Sequence, residues 1–239
     1  MTGRLILDGI DIEVVKKDIK HLHVGVYPPD GRVRVAAPLR MDDEPIRLAV
    51  VSRLSWIKRQ RRQFLNQERQ GRREYVSRES HYFLGHRYLL DVVYRDGPSA
   101  VRVRNTSVIE LAVPVGAERD YREHRFTKWY RSELKTLVEP MIGRWAPKLG
   151  IAEPEWAVKR MRTRWGTCNA DIPRVWLNLE LIKKPTQCIE YVVVHELAHI
   201  IEKNHTDRFR AVMDEAMPQW RAHREILNAA PLAYEDWKY

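Results

Sequence analysis

The fold is decided by one stretch of sequence, VVVHELAHII at residues 192–201, together with His205, which follows it. The segment contains the pattern H-E-x-x-H. On a helix, residues four apart project from nearly the same face, so His195 and His199 can bind one Zn²⁺. Glu196 lies one residue round the helix, where its carboxylate can reach a water on the metal. The pattern therefore predicts a helix that carries a catalytic zinc site.

His205 can complete the ligand set only if this helix stops before it. Six more helical residues would rotate His205 by about 600° relative to His199, onto a different face. The chain must therefore turn, and Lys203-Asn204 suits a turn because Asn accepts a left-handed helix cap. Thr206 then predicts the N-cap of a new helix. Three histidines with an open fourth position suit hydrolytic zinc, whereas the alternative is a buried helix with incidental histidines.

Composition describes a globular protein with a basic surface. The 239 residues are 44% hydrophobic and 31% charged, with a net charge of +10. We expect a cytoplasmic location, since the N-terminus lacks a signal-peptide pattern and no apolar run approaches the ~20 residues of a membrane span. Cys168 and Cys188 form neither a disulfide framework nor a Cys-x-x-Cys metal clip. The positive charge is compatible with binding of phosphate or nucleic acid. It is also compatible with a basic surface whose only role is solubility.

The N-terminal half is predicted to be a twisted antiparallel sheet with one long helix. Strands are expected over residues 4–40, with a hairpin at Pro28-Pro29-Asp30-Gly31, and over 81–113, with a tight turn at Gly85-His86. Asp42-Asp43-Glu44-Pro45 predicts the start of a helix that runs to about residue 70. Its basic face is either solvated or a contact site for nucleic acid, and consists of Arg53, Lys58, Arg59, Arg61, Arg62 and Arg69, with Arg72 and Arg73 beyond.

A second long helix is predicted from about residue 118 to 149, with Pro140 and Pro147 expected to kink or end it. Strands follow at 155–161 and 175–179, then the H-E-x-x-H helix from Pro185 and a last helix after Pro218. The predicted organisation is an N-terminal α+β region over residues 1–116, a catalytic domain over 117–228 and a tail over 229–239. The fold class is α+β.

The chain resembles the YgjP-like (DUF45-type) metallopeptidases, which are related to the SprT and WLM zincins. The resemblance extends from near residue 10 to about 228, and one departure is Thr167, where the family usually has Ser. It rests on MRTRWGTC at 161–168, WLNL at 176–179, YVVVHELAH at 191–199, Asn204-His205 and Arg208-Phe209.

The resemblance implies a zincin-like (minigluzincin) core with a small sheet, in which His195, His199 and His205 bind zinc and Glu196 is the general base. The expected reaction is zinc-assisted hydrolysis of peptide bonds in a peptide or protein substrate. Some relatives have been assigned as nucleotide (UTP) pyrophosphatases, which is a second hypothesis for this chain. A third is a module that binds nucleic acid or protein and holds a structural zinc.

Three further residues are candidates for substrate binding: Arg164, Trp165 and Asn178. Arg164 is a candidate for oxyanion stabilisation, with an ion pair between sheet and helix as the alternative. Trp165 and Cys168 are also interpreted as packing residues, and Cys168 as a fourth ligand would close the open position on zinc. By analogy with zincins, the strand at 175–179 is expected to offer its edge to an extended peptide.

Overall fold

The computed structural model describes residues 2–27, 31–66, 73–161 and 164–229, and the α+β class is confirmed. The chain divides between residues 71 and 72 into two compact units. The predicted boundary at residue 116 falls inside the second unit, because the strands before it share one hydrophobic core with the helices after it. Residues 230–239 of the predicted tail lie outside the described residues.

The first unit contains a four-stranded sheet in the order β1-β2-β4-β3. Its core comes from alternate residues of the two central strands, such as Ile12 and Val14 of β2 and Val33 and Val35 of β4. β2 and β4 pair in parallel, so the predicted all-antiparallel arrangement is wrong at the centre. The strands with the most buried residues, β2 and β4, both lie at the centre of the sheet. They therefore pair with each other, and this pairing is parallel. The strands are β1 (Thr2–Leu7), β2 (Ile10–Lys17), β3 (His23–Tyr27) and β4 (Arg32–Pro38).

The predicted hairpin between β3 and β4 is confirmed by their antiparallel pairing, although Pro28 to Asp30 lie outside the described residues. The long helix that follows is two helices, α1 (Asp43–Val51) and α2 (Leu54–Asn66). The Ser52 hydroxyl donates to the Ala49 carbonyl at 3.0 Å, the acceptor that the Arg53 N–H would use in a continuing helix. The Arg53 N–H donates instead to the Val50 carbonyl, and the helix breaks.

The basic face predicted for this helix is exposed at Arg53, Arg59 and Arg62. Lys58 is also exposed but forms an ion pair with Asp8. Arg69 and Arg72 lie outside the described residues. Nucleic-acid contact through this face stays a prediction.

The second unit begins with a sheet of the same topology, in the order β5-β6-β8-β7 with β6 and β8 parallel. The first turn of each sheet has two residues with positive φ, Asp8-Gly9 at 51° and 71° and Leu84-Gly85 at 48° and 84°. Such turns match the twist of a two-residue hairpin. The second turn therefore lies one residue before its predicted position. The strands are β5 (Ser80–Phe83), β6 (His86–Tyr94), β7 (Ala100–Val103) and β8 (Val108–Val113).

Helix α3 (Arg119–Lys148) connects this sheet to the rest of the unit. It runs through Pro140 and ends one residue after Pro147, so only the second proline lies near its end. Its buried face includes Phe126, Leu134 and Ile142 and belongs to the main core of the second unit. Within the described part of the chain, no helix is both long enough and apolar enough to cross a membrane.

The last part of the second unit is a three-stranded sheet with three helices, in which β11 lies between β10 and β9. The turn at Leu84 joins the two parts, because the Leu84 N–H donates to the Ile182 carbonyl at 2.8 Å, just before α4. A short 3-10 helix, Leu179–Lys183, follows β11. The elements are β9 (Glu155–Lys159), β10 (Gly166–Asn169), β11 (Arg174–Asn178), α4 (Thr186–Ile201), α5 (Asp207–Ala216) and α6 (Trp220–Ala229).

Candidate metal centre

Helix α4 carries the first two predicted ligands. Val192, Val193 and Val194 are buried, which explains how three residues of low helix propensity lie in a helix. Their burial against α3 and the small sheet leaves the next turn facing a cleft. The rings of His195 and His199 are 4.9 Å apart between centroids, at 87° to each other.

His205 joins them because α4 ends at Ile201, as the spacing predicts. Glu202 is extended, with φ −141°, and this residue redirects the chain. Asn204 does not have positive φ, so the predicted left-handed cap is wrong. The Thr206 side chain caps α5 by accepting from the Phe209 N–H at 3.3 Å, as predicted.

The three histidines form the one cluster of potential metal ligands among the described residues, with ligand atoms within 4.8 Å of one another. Phe209 is 2% exposed and lies against all three rings, at centroid distances of 5.0, 4.6 and 4.9 Å. This apolar support for the triad was not predicted from the sequence.

The ring nitrogens of the three histidines are arranged so that they can bind a divalent metal. His199 Nδ1 lies 3.1 Å from the Glu202 carbonyl, so its N–H donates there and Nε2 keeps its lone pair. The Nε2 atoms of His195 and His205 are 3.1 Å apart, with both pointing at the same space. Burial and the neighbouring His199 and His205 lower the pKa of His195 to about 3. Three imidazoles whose ring nitrogens face one another are a donor set that fits zinc.

Glu196 is 5% exposed and lies beside the triad. Burial raises the pKa of its carboxyl to about 8, an effect that Arg164 partly opposes. The carboxyl packs against β10, where a Cβ added to Gly166 would lie 2.5 Å from Glu196 Oε1 and 2.5 Å from Cγ. Only glycine leaves room for this contact. The sequence contains Gly166 in the quoted motif but gave no sign of this role.

The candidate substrate residues separate into two groups. Arg164 and Trp165 line the cleft next to the triad. Arg164 has no ion-pair partner among the described residues, so the alternative of a sheet-to-helix ion pair is not observed there. Asn178 does not line the cleft. Its side chain is buried and holds the backbone of Met161, Arg164 and Glu180, which makes its place structural.

Cys168 lines the cleft but is not part of the ligand cluster found among the described residues. Burial and the nearby Glu196 raise the pKa of its thiol to about 11, so the group stays protonated. A thiol is a weak metal ligand compared with a thiolate. Cys168 therefore does not add a fourth ligand, and a metal held by the three histidines would keep a position open to the cleft that they line.

The cleft has a volume of about 730 Å³. One wall is β10, an edge strand, whereas the strand predicted to offer an edge, 175–179, is central and paired on both sides. That prediction is wrong because β10 covers the side of β11 that faces the cleft. Helix α6 also lines the cleft, through Arg224, Leu227 and Asn228.

Comparisons with known proteins identify a family for this chain. A family model described as YgjP-like, metallopeptidase domain, matches residues 22–230. The metallopeptidase zymogen of Pyrococcus abyssi abylysin is similar over 37% of this chain and 87% of that chain, with 20% identity and a TM-score of 0.34. The zymogen of Methanocaldococcus jannaschii jannalysin is similar over 38% and 92%, with 16% identity and a TM-score of 0.34. No curated protein sequence matches.

Proposed function

This chain belongs to the YgjP-like family, and from that premise we propose that it is a zinc-dependent peptidase acting at the site of His195, His199 and His205. The observation that carries the proposal is the meeting of three imidazoles with one buried carboxylate, Glu196, at the floor of an open cleft. A purely structural zinc would have no use for that carboxylate.

The three histidines would hold the metal through ring nitrogens that face one another. Zinc bound there would supply Lewis-acid chemistry, polarising the scissile carbonyl and lowering the pKa of a water. The hydrogen bond from His199 to the Glu202 carbonyl fixes the tautomer and the orientation of that ring.

Glu196 is the proposed general base. It takes a proton from the attacking water and passes it to the leaving amine. In the absence of a cation, burial keeps the pKa of its carboxyl near 8, which favours the protonated form at neutral pH. A positive charge on the triad favours the carboxylate, so the base is formed where the metal is bound.

β10 is the proposed docking strand for an extended peptide. It is four residues long, lies at the edge of its sheet and runs along the cleft. A peptide that pairs with its free edge would satisfy backbone donors and acceptors that otherwise contact water. The same pairing would place the peptide beside Glu196, which packs against Gly166 of this strand.

The experiment is to measure zinc content and casein hydrolysis of the full chain and of Glu196→Gln. We expect the variant to keep its zinc and to lose activity by a factor of at least about 100. Glu215→Gln is the matched control, because Glu215 is an exposed acid on α5 outside the cleft. Unchanged hydrolysis in Glu196→Gln would remove Glu196 as the base.

A parallel assay with UTP tests the nucleotide hypothesis in the same preparations. Release of pyrophosphate that is lost both with a chelator and in Glu196→Gln, without casein hydrolysis, would replace the peptidase proposal. Zinc retained without either activity would favour a structural site.

A further inference from the structure

Arg224 is an exposed residue of helix α6 that has helical spacing to the two buried residues of this helix. Trp220 is four residues before it and Leu227 three residues after it, and both are buried, at 6% and 2% exposure. Residues with this spacing project from one face of a helix. An arginine at this place points toward the same side as two core residues, and the structure places it in the wall of the cleft.

Helix α6 is fixed in position by its neighbours. Trp220 stacks on Tyr191 of α4, with ring centroids 6.3 Å apart and planes at 9°, and its Nε1 donates to Asp214 at 2.7 Å. The Cys188 thiol of α4 donates to the His223 carbonyl at 3.6 Å. These contacts attach α6, which carries Arg224, to α4, the helix of His195 and His199.

The side chains that line the cleft carry more positive than negative charge. Lys203 is paired with Asp171, so the two cancel. Arg164 and Arg224 have no ion-pair partner and no side-chain hydrogen bond within the part of the chain that the structure describes. Both arginines line the cleft that also holds His195, Glu196 and His205. The lining of the cleft therefore offers two guanidinium groups to a substrate.

We propose that Arg224 recognises a carboxylate of the substrate, so that the preferred substrate is a peptide with an acidic group next to the bond that is cut. This inference rests on the proposed peptidase function. A guanidinium fits a carboxylate with two parallel hydrogen bonds, and no residue that the structure describes occupies the donors of Arg224. Arg224 is a specificity residue in this scheme, and Glu196 keeps the proton transfer.

A peptide carboxylate fits the cleft better than a nucleotide. A triphosphate carries several negative charges close together, whereas the nearby lysine is already neutralised by Asp171 and, among the described residues, only two guanidinium groups of the cleft lack an ion-pair partner. The edge of β10 is suited to an extended backbone. A single carboxylate on an extended chain matches both features.

The test measures binding rather than turnover, in zinc-loaded Glu196→Gln, so that the peptide stays intact. Three fluorescent peptides of one sequence are compared at about 0.15 M salt, where long-range attraction is screened. They carry internal Glu with an amidated C-terminus, internal Gln with an amidated C-terminus, or internal Gln with a free C-terminus. The last two arms distinguish a side-chain carboxylate from a terminal one.

We expect one of the two carboxylate peptides to bind about tenfold more tightly than the uncharged peptide, the value of one charge-assisted hydrogen bond. Adding Arg224→Gln should reduce this preference to less than about twofold, and Arg224→Lys should restore part of it. Arg221→Gln is the matched control. It removes the same charge from the same helix, but Arg221 is paired with Asp214 outside the cleft, so the preference should remain.

Equal binding of all three peptides would overturn the inference, and so would a preference that survives Arg224→Gln or disappears equally in Arg221→Gln. UTP that displaces the acidic peptide and depends more strongly on Arg224 would also overturn it. Zinc content and casein hydrolysis of the wild type are measured separately. Loss of the peptidase proposal in that assay, with the Arg224-dependent preference intact, would leave an acidic-peptide binding site and show that only the reaction was misassigned.

Discussion

Replacing Gly166 with alanine should damage catalysis while sparing the metal. The added Cβ would lie 2.5 Å from Glu196 Cγ and Oε1, whereas ordinary contact begins at 3.4 Å, so the carboxyl must move by about 3.4 − 2.5 = 0.9 Å. The atoms that yield belong to a side chain and not to the backbone. The cost in stability should therefore be at most about 1–3 kcal/mol.

The cost in rate should be larger than the cost in stability, because the group that moves is the proposed base. A displacement of about 1 Å in a catalytic geometry reduces the rate by roughly 100-fold. We therefore expect kcat/KM for a peptide substrate to fall by about that factor in Gly166→Ala. The zinc content should stay at the wild-type level, because the three atoms nearest to the added Cβ all belong to Glu196 and none to a histidine.

Gly143→Ala is the matched control, since Gly143 lies inside α3 and a Cβ there meets nothing within 4 Å. That variant should be more stable by up to about 1 kcal/mol and should keep its activity. Zinc analysis, thermal unfolding and steady-state kinetics on both variants make the comparison. Wild-type kcat/KM in a folded, zinc-loaded Gly166→Ala protein would refute the reasoning, because Glu196 would then tolerate the displacement.

Asn178→Ala should lower the free energy of unfolding, measured in urea, by about 2–4 kcal/mol without changing the zinc content. The reason is that the buried Asn178 side chain forms hydrogen bonds with four backbone groups. A loss below roughly 0.5 kcal/mol, the size expected for a surface change, would contradict this. Thr206→Ala should cost about 1 kcal/mol and weaken zinc binding by freeing the Phe209 N–H beside His205, and Thr206→Ser should restore both. Burial keeps the pKa of His81 below 6.5, so stability should be lost as the pH falls through 6.5, and His81→Gln should flatten this part of the curve; an equally steep wild-type and variant curve would assign the loss to other groups.

The local parts of the site could be predicted from the sequence. The position of H-E-x-x-H and the need to deliver His205 required α4 to end between residues 199 and 205, and it ends at Ile201. Thr206 caps α5 as its residue type indicates. These predictions succeeded because they depend on helix geometry over a few residues. The conformation by which the chain leaves α4 was not predicted. An extended Glu202 turns the chain toward His205, as a left-handed Asn204 would also have done.

The non-local parts could not be predicted in the same way. Alternation of apolar residues identified the strands, but it has the same period in any sheet order, so it did not reveal that β2 and β4, or β6 and β8, pair in parallel. The boundary at residue 116 was placed by local turn residues, whereas the division at 71 and 72 follows from a core shared across α3. Gly166 and Arg224 were missed for the same reason. Gly166 lies against Glu196, which is 30 residues away in sequence, and Arg224 lines the same cleft as His195, which is 29 residues away.

The edge strand and Arg224 together restrict where an acidic residue can lie in a substrate. A peptide paired with β10 would have side chains that alternate between the two faces of the sheet, with a period of two. Only every second side chain would then point toward the wall formed by α6, where Arg224 lies. In a series of peptides with one Glu moved along a neutral sequence, the preference should therefore appear at one position, vanish at the next and be partly recovered at the one after. Glu196 lies against Gly166 of β10. The register in which the peptide pairs with β10 therefore also decides which peptide bond lies beside the base. A preference that changes smoothly with position would mean that Arg224 acts only as a diffuse charge and that the peptide does not pair with β10.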